Sequence, residues 1–233
     1  MILPKEAELD QIPELEIAGF SEPAAEVGGD YYDIMPQSDR IKIGIGDVTG
    51  HGLESGVLAI MVQTAVRALL ANNETDPVQF LNVLNRTIYD NLQRMNCDKN
   101  LTFALIDYQG GRLRLSGQHE QLIVVRSGGS VELIDTIDLG FPLGIVSDIA
   151  DFVAYADIQL NSGDVVVLYT DGITEAEDIN GVQYGLDRLC KVTSRNRHRS
   201  AAEIRQAAIA DLRQHIGNQT VYDDITLLVF KQK

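Results

Sequence analysis

Residues 41–45 read Ile-Lys-Ile-Gly-Ile, with apolar side chains alternating with polar or small ones, and the run ends at Gly46-Asp47. A period of two predicts a strand with one buried face, here emptying into a turn. From Leu53 to Leu70 the spacing becomes helical, and Leu53, Val57, Ile60, Met61, Thr64, Ala65 and Ala68 share the predicted apolar face. Asp76-Pro77 is a cap residue followed by proline at the first helical position, which predicts a second helix. Its stripe is Leu81, Leu84, Ile88, Leu92 and Met95.

The middle of the chain predicts strands over 101–108, 112–116, 121–126 and 131–134, separated by Gly110-Gly111, Gly117 and Gly128-Gly129. Connections this short imply antiparallel neighbours, because parallel strands need a long crossover. Further strands are predicted over 152–160, 164–170 and 225–230, and the apolar runs of the last two place them centrally, covered on both faces. Between them, Ser200-Ala201-Ala202-Glu203 is a capping box that opens a helix with the stripe Ile204, Ala208 and Leu212 and a stop at Gly217. The order predicts one α+β domain over residues 1–233 with a largely antiparallel sheet.

Composition narrows the classes. The chain has 233 residues, 45% of them hydrophobic, enough for a substantial core. No apolar run approaches the ~20 residues that cross a bilayer, and the N-terminus MILPKEAELD lacks a signal-peptide pattern. The expectation is therefore no membrane partner. Cys97 and Cys190 are too few and too distant for a disulfide framework, which fits reduced thiols and a cytoplasmic location. The net charge of −15, from 34 acidic and 19 basic residues, argues against a nucleic-acid partner. The basic run Arg195–Arg199 reads as a solvated loop.

The candidate chemistry lies in four aspartate motifs, three of which adjoin predicted strands. Asp47 lies in GDVTGHG, Asp171 in YTDGITEAED, Asp223 with Asp224 in YDDITLLV, and Asp30 with Asp33 in EVGGDYYD. Converging carboxylates repel one another unless a cation neutralises them, and hard divalent ions take oxygen ligands. Each aspartate also has an ordinary explanation as a turn former or cap, and a hairpin turn accounts for Asp30 and Asp33. Only one of Asp223 and Asp224 can face a given site, because side chains alternate along a strand. His51, in the turn after Asp47, could polarise a water or orient a carboxylate. His119 reads as a structural hydrogen bonder, and His198 and His215 as surface residues. With no Ser–His or Cys–His arrangement and no Walker loop, metal-activated water is the better mechanism.

Taken in order, EVGGDYYD (26–33), GDVTGHG (46–52), GFPLGI (140–145), GDVVVLYTDGITEAED (163–178) and DDITLLV (223–229) resemble the metal-dependent protein phosphatases of the 2C type, within them the bacterial SpoIIE/RsbU branch. The resemblance runs from about residue 12 to residue 230. It implies an antiparallel β-sandwich flanked by helices. It also implies two divalent cations, Mn2+ or Mg2+, held by Asp30, Asp47, Asp171, Asp223 and the carbonyl of Val48. Asp47 and Asp171 are the expected catalytic carboxylates, with Asp33, Gly172, His51 and Asp224 as accessory positions. The implied substrate is a phosphoserine or phosphothreonine protein, in this branch a small antagonist of an anti-sigma factor. Resemblance further implies an upstream sensor or receiver domain, making this an output domain. Two features depart from the pattern: no arginine near the N-terminus matches the phosphate clamp of many 2C-type enzymes, and SGQHEQ (116–121) replaces the branch's AGHNP. The competing reading is a catalytically weak module that docks a partner; a metal-dependent nucleotide cyclase or nucleotidase lacks the basic or aromatic base pocket it would need.

Overall fold

Residues 13–37 and 40–233 are described by the computed structural model, and their strands form two antiparallel five-stranded sheets. Sheet I runs in the order β1 (Leu15–Glu22), β10 (Ile225–Gln232), β9 (Val165–Tyr169), β6 (Leu122–Val125) and β7 (Val131–Ile134). Sheet II runs β2 (Tyr31–Pro36), β3 (Ile41–Val48), β4 (Leu101–Gln109), β5 (Arg112–Ser116) and β8 (Tyr155–Gln159). Helices α1 (Leu53–Ala71) and α2 (Pro77–Met95) cover the outer face of sheet II. A single turn, α3 (Asp171–Thr174), follows β9, and α4 (Leu186–Asn196) and α5 (Ala201–Ile216) cover sheet I. The result is a helix–sheet–sheet–helix sandwich.

Three buried clusters correspond to its three interfaces. Ile43 and Ile45 meet Val166, Leu228 and Phe230 between the sheets. On the opposite face of β3, Gly44 leaves room for the Tyr31 and Phe103 rings, so the alternation seen in the sequence separates two different cores. The continuous apolar runs of β9 and β10 lie inside sheet I, with sheet II on one side and helices on the other. The Asp76 side chain caps α2 through the Gln79 amide, and Ser200 with Glu203 forms the capping box of α5.

Several expectations need correction. The predicted face of α1 is rotated: Leu58, Ala59, Val62, Val66 and Leu70 are buried, whereas Leu53 is 73% and Ile60 48% exposed. This helix is apolar nearly all round, so periodicity could not orient it. With 19 residues and a mean hydropathy of 1.5, it is also long and apolar enough to cross a membrane, contrary to the sequence reading. Here it packs against sheet II and α2. Strands β1 and β2 and helix α4 were not predicted, and part of the 152–160 run is a 3-10 turn at Ala150–Phe152. The short connection after β5 does not join neighbours: β5 belongs to sheet II and β6 to sheet I, so residues 117–121 cross the sandwich.

Asp33 lies inside β2 rather than in a hairpin turn, and its fully buried carboxylate faces α1. There Arg67 grips it in a two-pronged ion pair at 2.7 and 2.9 Å. The accessory role expected of Asp33 is thereby replaced by a structural one. Replacing Arg67 leaves a buried carboxylate without its cation, which is costly, although the half-exposed arginine moderates the loss. Arg67→Met is expected to lower the unfolding free energy by about 1–3 kcal/mol in urea denaturation; no change would show that water replaces the arginine freely.

Candidate active site

The acidic residues meet at one end of the sandwich, where strands of both sheets stop. Sheet II contributes Asp30, immediately before β2, and Asp47, the penultimate residue of β3. Sheet I contributes Asp171, the first residue after the β9 edge and Thr170, and Asp223, two residues before β10. Their mutual influence is visible in their protonation. Burial, then the charge of Asp47, pushes the Asp30 carboxyl up to about 9. Burial, then Asp171 and Asp223, pushes Asp47 up to about 7. Asp171 is also raised, by burial and by Asp223 and Glu175.

Hydrogen bonds across the seam hold these elements together. The Thr170 hydroxyl donates to the Asp30 carboxylate at 2.8 Å and accepts from the Thr226 amide at 3.1 Å, tying the end of sheet I to the start of β2. Asp224 is consumed as an anchor: its carboxylate accepts from the amides of Ala24, Gly29 and Asp30 at 2.7, 2.6 and 3.3 Å. That leaves the half-buried Asp223, whose carboxylate accepts from the Asp224 amide at 2.8 Å, as the member of the pair turned toward the other acids. Gly172 is required by packing, since a Cβ there would lie 2.0 Å from the Asp224 carbonyl oxygen. The Val48 carbonyl packs against Gly29, where a Cβ would approach it to 2.9 Å.

The donor set of carboxylates and one carbonyl is all oxygen, which suits Mg2+ or Mn2+. The carboxylates are neighbours rather than a closed cage: among the described residues, no three Asp, Glu, His or Cys side chains are grouped to ligate one ion. Mutual repulsion favours that spreading. His51 is exposed and makes no hydrogen bond among the described residues.

Sequence reasoning missed two threonines and read His119 only as a structural hydrogen bonder. Thr102 lies in no motif, and Thr170 sits in YTDGITEAED but was passed over beside Asp171. His119 is buried; its pKa is lowered to about 4 by desolvation, so it is neutral. Lys99 was also missed. Its ammonium donates to the Thr49 carbonyl at 2.7 Å, placing a cation beside the turn that follows Asp47 and Val48.

Protonation and stability are linked through these raised carboxyls. Between the ordinary aspartate value of about 4 and the raised values of Asp47 and Asp30, about 7 and about 9, the folded protein binds more protons than the unfolded chain. Stability contributed by the cluster is therefore complete below the ordinary value and is lost as pH rises through the raised ones. In chelator, the melting temperature is expected to fall by about 5 °C between pH 5.5 and pH 8.5, and saturating Mn2+ to remove most of that fall. Asp47→Asn should raise the metal-free melting temperature at pH 8.5 by ~2–4 °C. Calorimetric melts that are flat or rise over this range would contradict the assignment.

Comparison with known proteins places this geometry. The sequence profile of the family described as Stage II sporulation protein E (SpoIIE) matches residues 37–233. The chain is 29% identical over 222 residues to phosphoserine phosphatase RsbU of Bacillus subtilis (strain 168), covering 94% of this chain and 64% of RsbU, less than two thirds of its length. Among solved structures, the SiaA-PP2C domain of Pseudomonas aeruginosa superposes with a TM-score of 0.81 at 23% identity, over 93% of this chain and 86% of that one. The catalytic domain of the serine/threonine phosphatase PstP, solved with 2 manganese ions, gives a TM-score of 0.65 at 17% identity, over 94% and 98% of the two chains. Two antiparallel sheets flanked by helices are thus the PP2C architecture. With the profile spanning most of its length, the chain belongs to the SpoIIE family.

Proposed function

We propose that this chain is a metal-dependent phosphatase that hydrolyses phosphoserine or phosphothreonine in a protein substrate. The observation that carries the reading is the meeting of Asp30 and Asp47 from sheet II with Asp171 and Asp223 from sheet I at one half-buried seam, in a chain of the SpoIIE family. Asp30, Asp47, Asp171, Asp223 and the Val48 carbonyl would hold two Mn2+ or Mg2+ ions. When bound, such ions supply an activated water and neutralise charge at phosphorus. The two manganese ions of PstP and the phosphoserine phosphatase activity in RsbU's name support the assignment.

The chain's own residues do the remaining work. Thr170 holds Asp30 in place, Asp224 secures the loop that carries it, and β3 presents Asp47 and the Val48 carbonyl side by side. A groove lined by Gly172, Glu175, Tyr222 and Asp223 opens beside Asp171 and offers a phosphorylated segment a path to the acids. We read residues 1–233 as one output domain of a longer, cytoplasmic, regulated signalling protein. Its substrate would be a small antagonist-type protein that controls an anti-sigma factor.

Turnover of p-nitrophenyl phosphate and of a phosphoserine peptide tests the proposal. Mn2+ is expected to support both reactions and chelator to abolish them. Asp47→Asn and Asp171→Asn should each lower kcat/KM by about 10²–10³-fold while the far-UV circular dichroism spectrum is unchanged. Failure of the wild-type protein to turn over either substrate at saturating Mn2+ would overturn the enzyme reading and favour a partner-docking module.

A further inference from the structure

The segment between β5 and β6 leaves one sheet and enters the other, and His119 lies near its middle. Its route is tightly fixed. Gly117 adopts a positive φ of 89°, and a Cβ there would lie 2.2 Å from the Phe103 carbonyl oxygen. The Gly117 amide donates to the Leu139 carbonyl and the Phe103 amide to the Gln118 carbonyl. At His119 the main chain is held on both sides by Thr136: the His119 amide donates to the Thr136 hydroxyl at 3.0 Å, and that hydroxyl also lies against the His119 carbonyl.

The imidazole spans the sandwich. Nε2 lies 3.0 Å from the Tyr169 carbonyl at the end of β9, and Nδ1 lies 2.8 Å from the Thr102 hydroxyl on β4. A carbonyl can only accept, so Nε2 carries the ring proton and Nδ1 accepts from Thr102. Both contacts lead to the acids. Thr102 is paired directly with Asp47 in the β3–β4 register, and directly opposed residues project their side chains from the same face of a sheet. Tyr169 lies two residues before Asp171.

We infer that His119 is a positioning residue for the cation site, one that sets the separation of Asp47 on sheet II from Asp171 on sheet I through its two ring hydrogen bonds. The inference rests on the proposed metal-dependent reading and adds to it a role for a residue that touches neither the ions nor the substrate. A neutral imidazole suits the task, since it supplies one donor and one acceptor in a fixed plane without adding charge to a crowded anionic seam.

Leucine at position 119 keeps apolar bulk and removes both hydrogen bonds, whereas glutamine offers an amide N–H for Tyr169 and an oxygen for Thr102. Titration of Mn2+ into metal-free protein by isothermal calorimetry reads the effect apart from turnover. His119→Leu is expected to weaken Mn2+ binding about tenfold, the low end of the loss seen when residues behind metal ligands are changed. His119→Gln should stay within about threefold of wild type. Thr102→Val should act in the same direction as the leucine variant by a smaller factor, and decides the matter if the leucine variant does not fold. A lower melting temperature with unchanged Mn2+ affinity in His119→Leu and Thr102→Val would reduce His119 to a purely structural role and overturn the inference. Weakened Mn2+ binding in these variants, alongside a wild-type protein that binds Mn2+ yet hydrolyses no phosphate, would sustain His119 and sink the phosphatase reading alone. Absence of Mn2+ binding by the wild type would overturn both.

Discussion

Aspartates that repel one another across the seam between two sheets are the constraint on which this end of the molecule depends. Asp30 and Asp47 arrive from sheet II, Asp171 and Asp223 from sheet I, and burial makes their joint ionisation unfavourable. The fold counters this with fixed neutral contacts. Thr170 ties Asp30 to the end of sheet I, three main-chain amides hold Asp224, and His119 braces the two sheets behind Asp47 and Asp171. Each contact is a hydrogen bond in a largely buried seam, where losing it costs more than at the surface.

The same arrangement ties stability to function. A protein that only needed to fold would gain by replacing one of these carboxylates with an amide, because repulsion and desolvation both act against the charged form. Retaining all of them makes sense when a cation offsets the repulsion, which is the logic of an all-oxygen divalent site. Elsewhere the chain treats its charges conventionally. Asp33 is buried only with Arg67 in bidentate contact, and the buried Lys42 ammonium lies 2.7 Å from Asp107.

Much of this was legible in the sequence, and the reason differs by element. Strand β3, the capping box of α5 and the capped start of α2 carry local signals that the fold reproduces. β9 and β10 were recognisable as central because both their faces are apolar. The orientation of α1 was not legible, because apolar residues surround it and tertiary packing alone selects the buried face. Nor was the crossover after β5: a glycine-marked connection of that length fits a hairpin equally well, and only the strand pairing, with β5 beside β4 and β8 and β6 beside β9, reveals that it changes sheets. At the site, charged motifs marked the aspartates; strand alternation said that only one of Asp223 and Asp224 could face it, and the family resemblance named Asp223. Thr102, Thr136 and Thr170 were invisible, since a threonine in a strand or at a strand end is ordinary until its hydroxyl has a partner.

The central claim is that the seam between the sheets is where divalent cations bind. Anomalous diffraction at the manganese absorption edge, from crystals grown with Mn2+, tests it directly. The account predicts two strong peaks between the carboxylates of Asp30 and Asp47 and those of Asp171 and Asp223, within bonding distance of the Val48 carbonyl. Peaks confined to other surfaces, or none at this seam under saturating Mn2+, would contradict it.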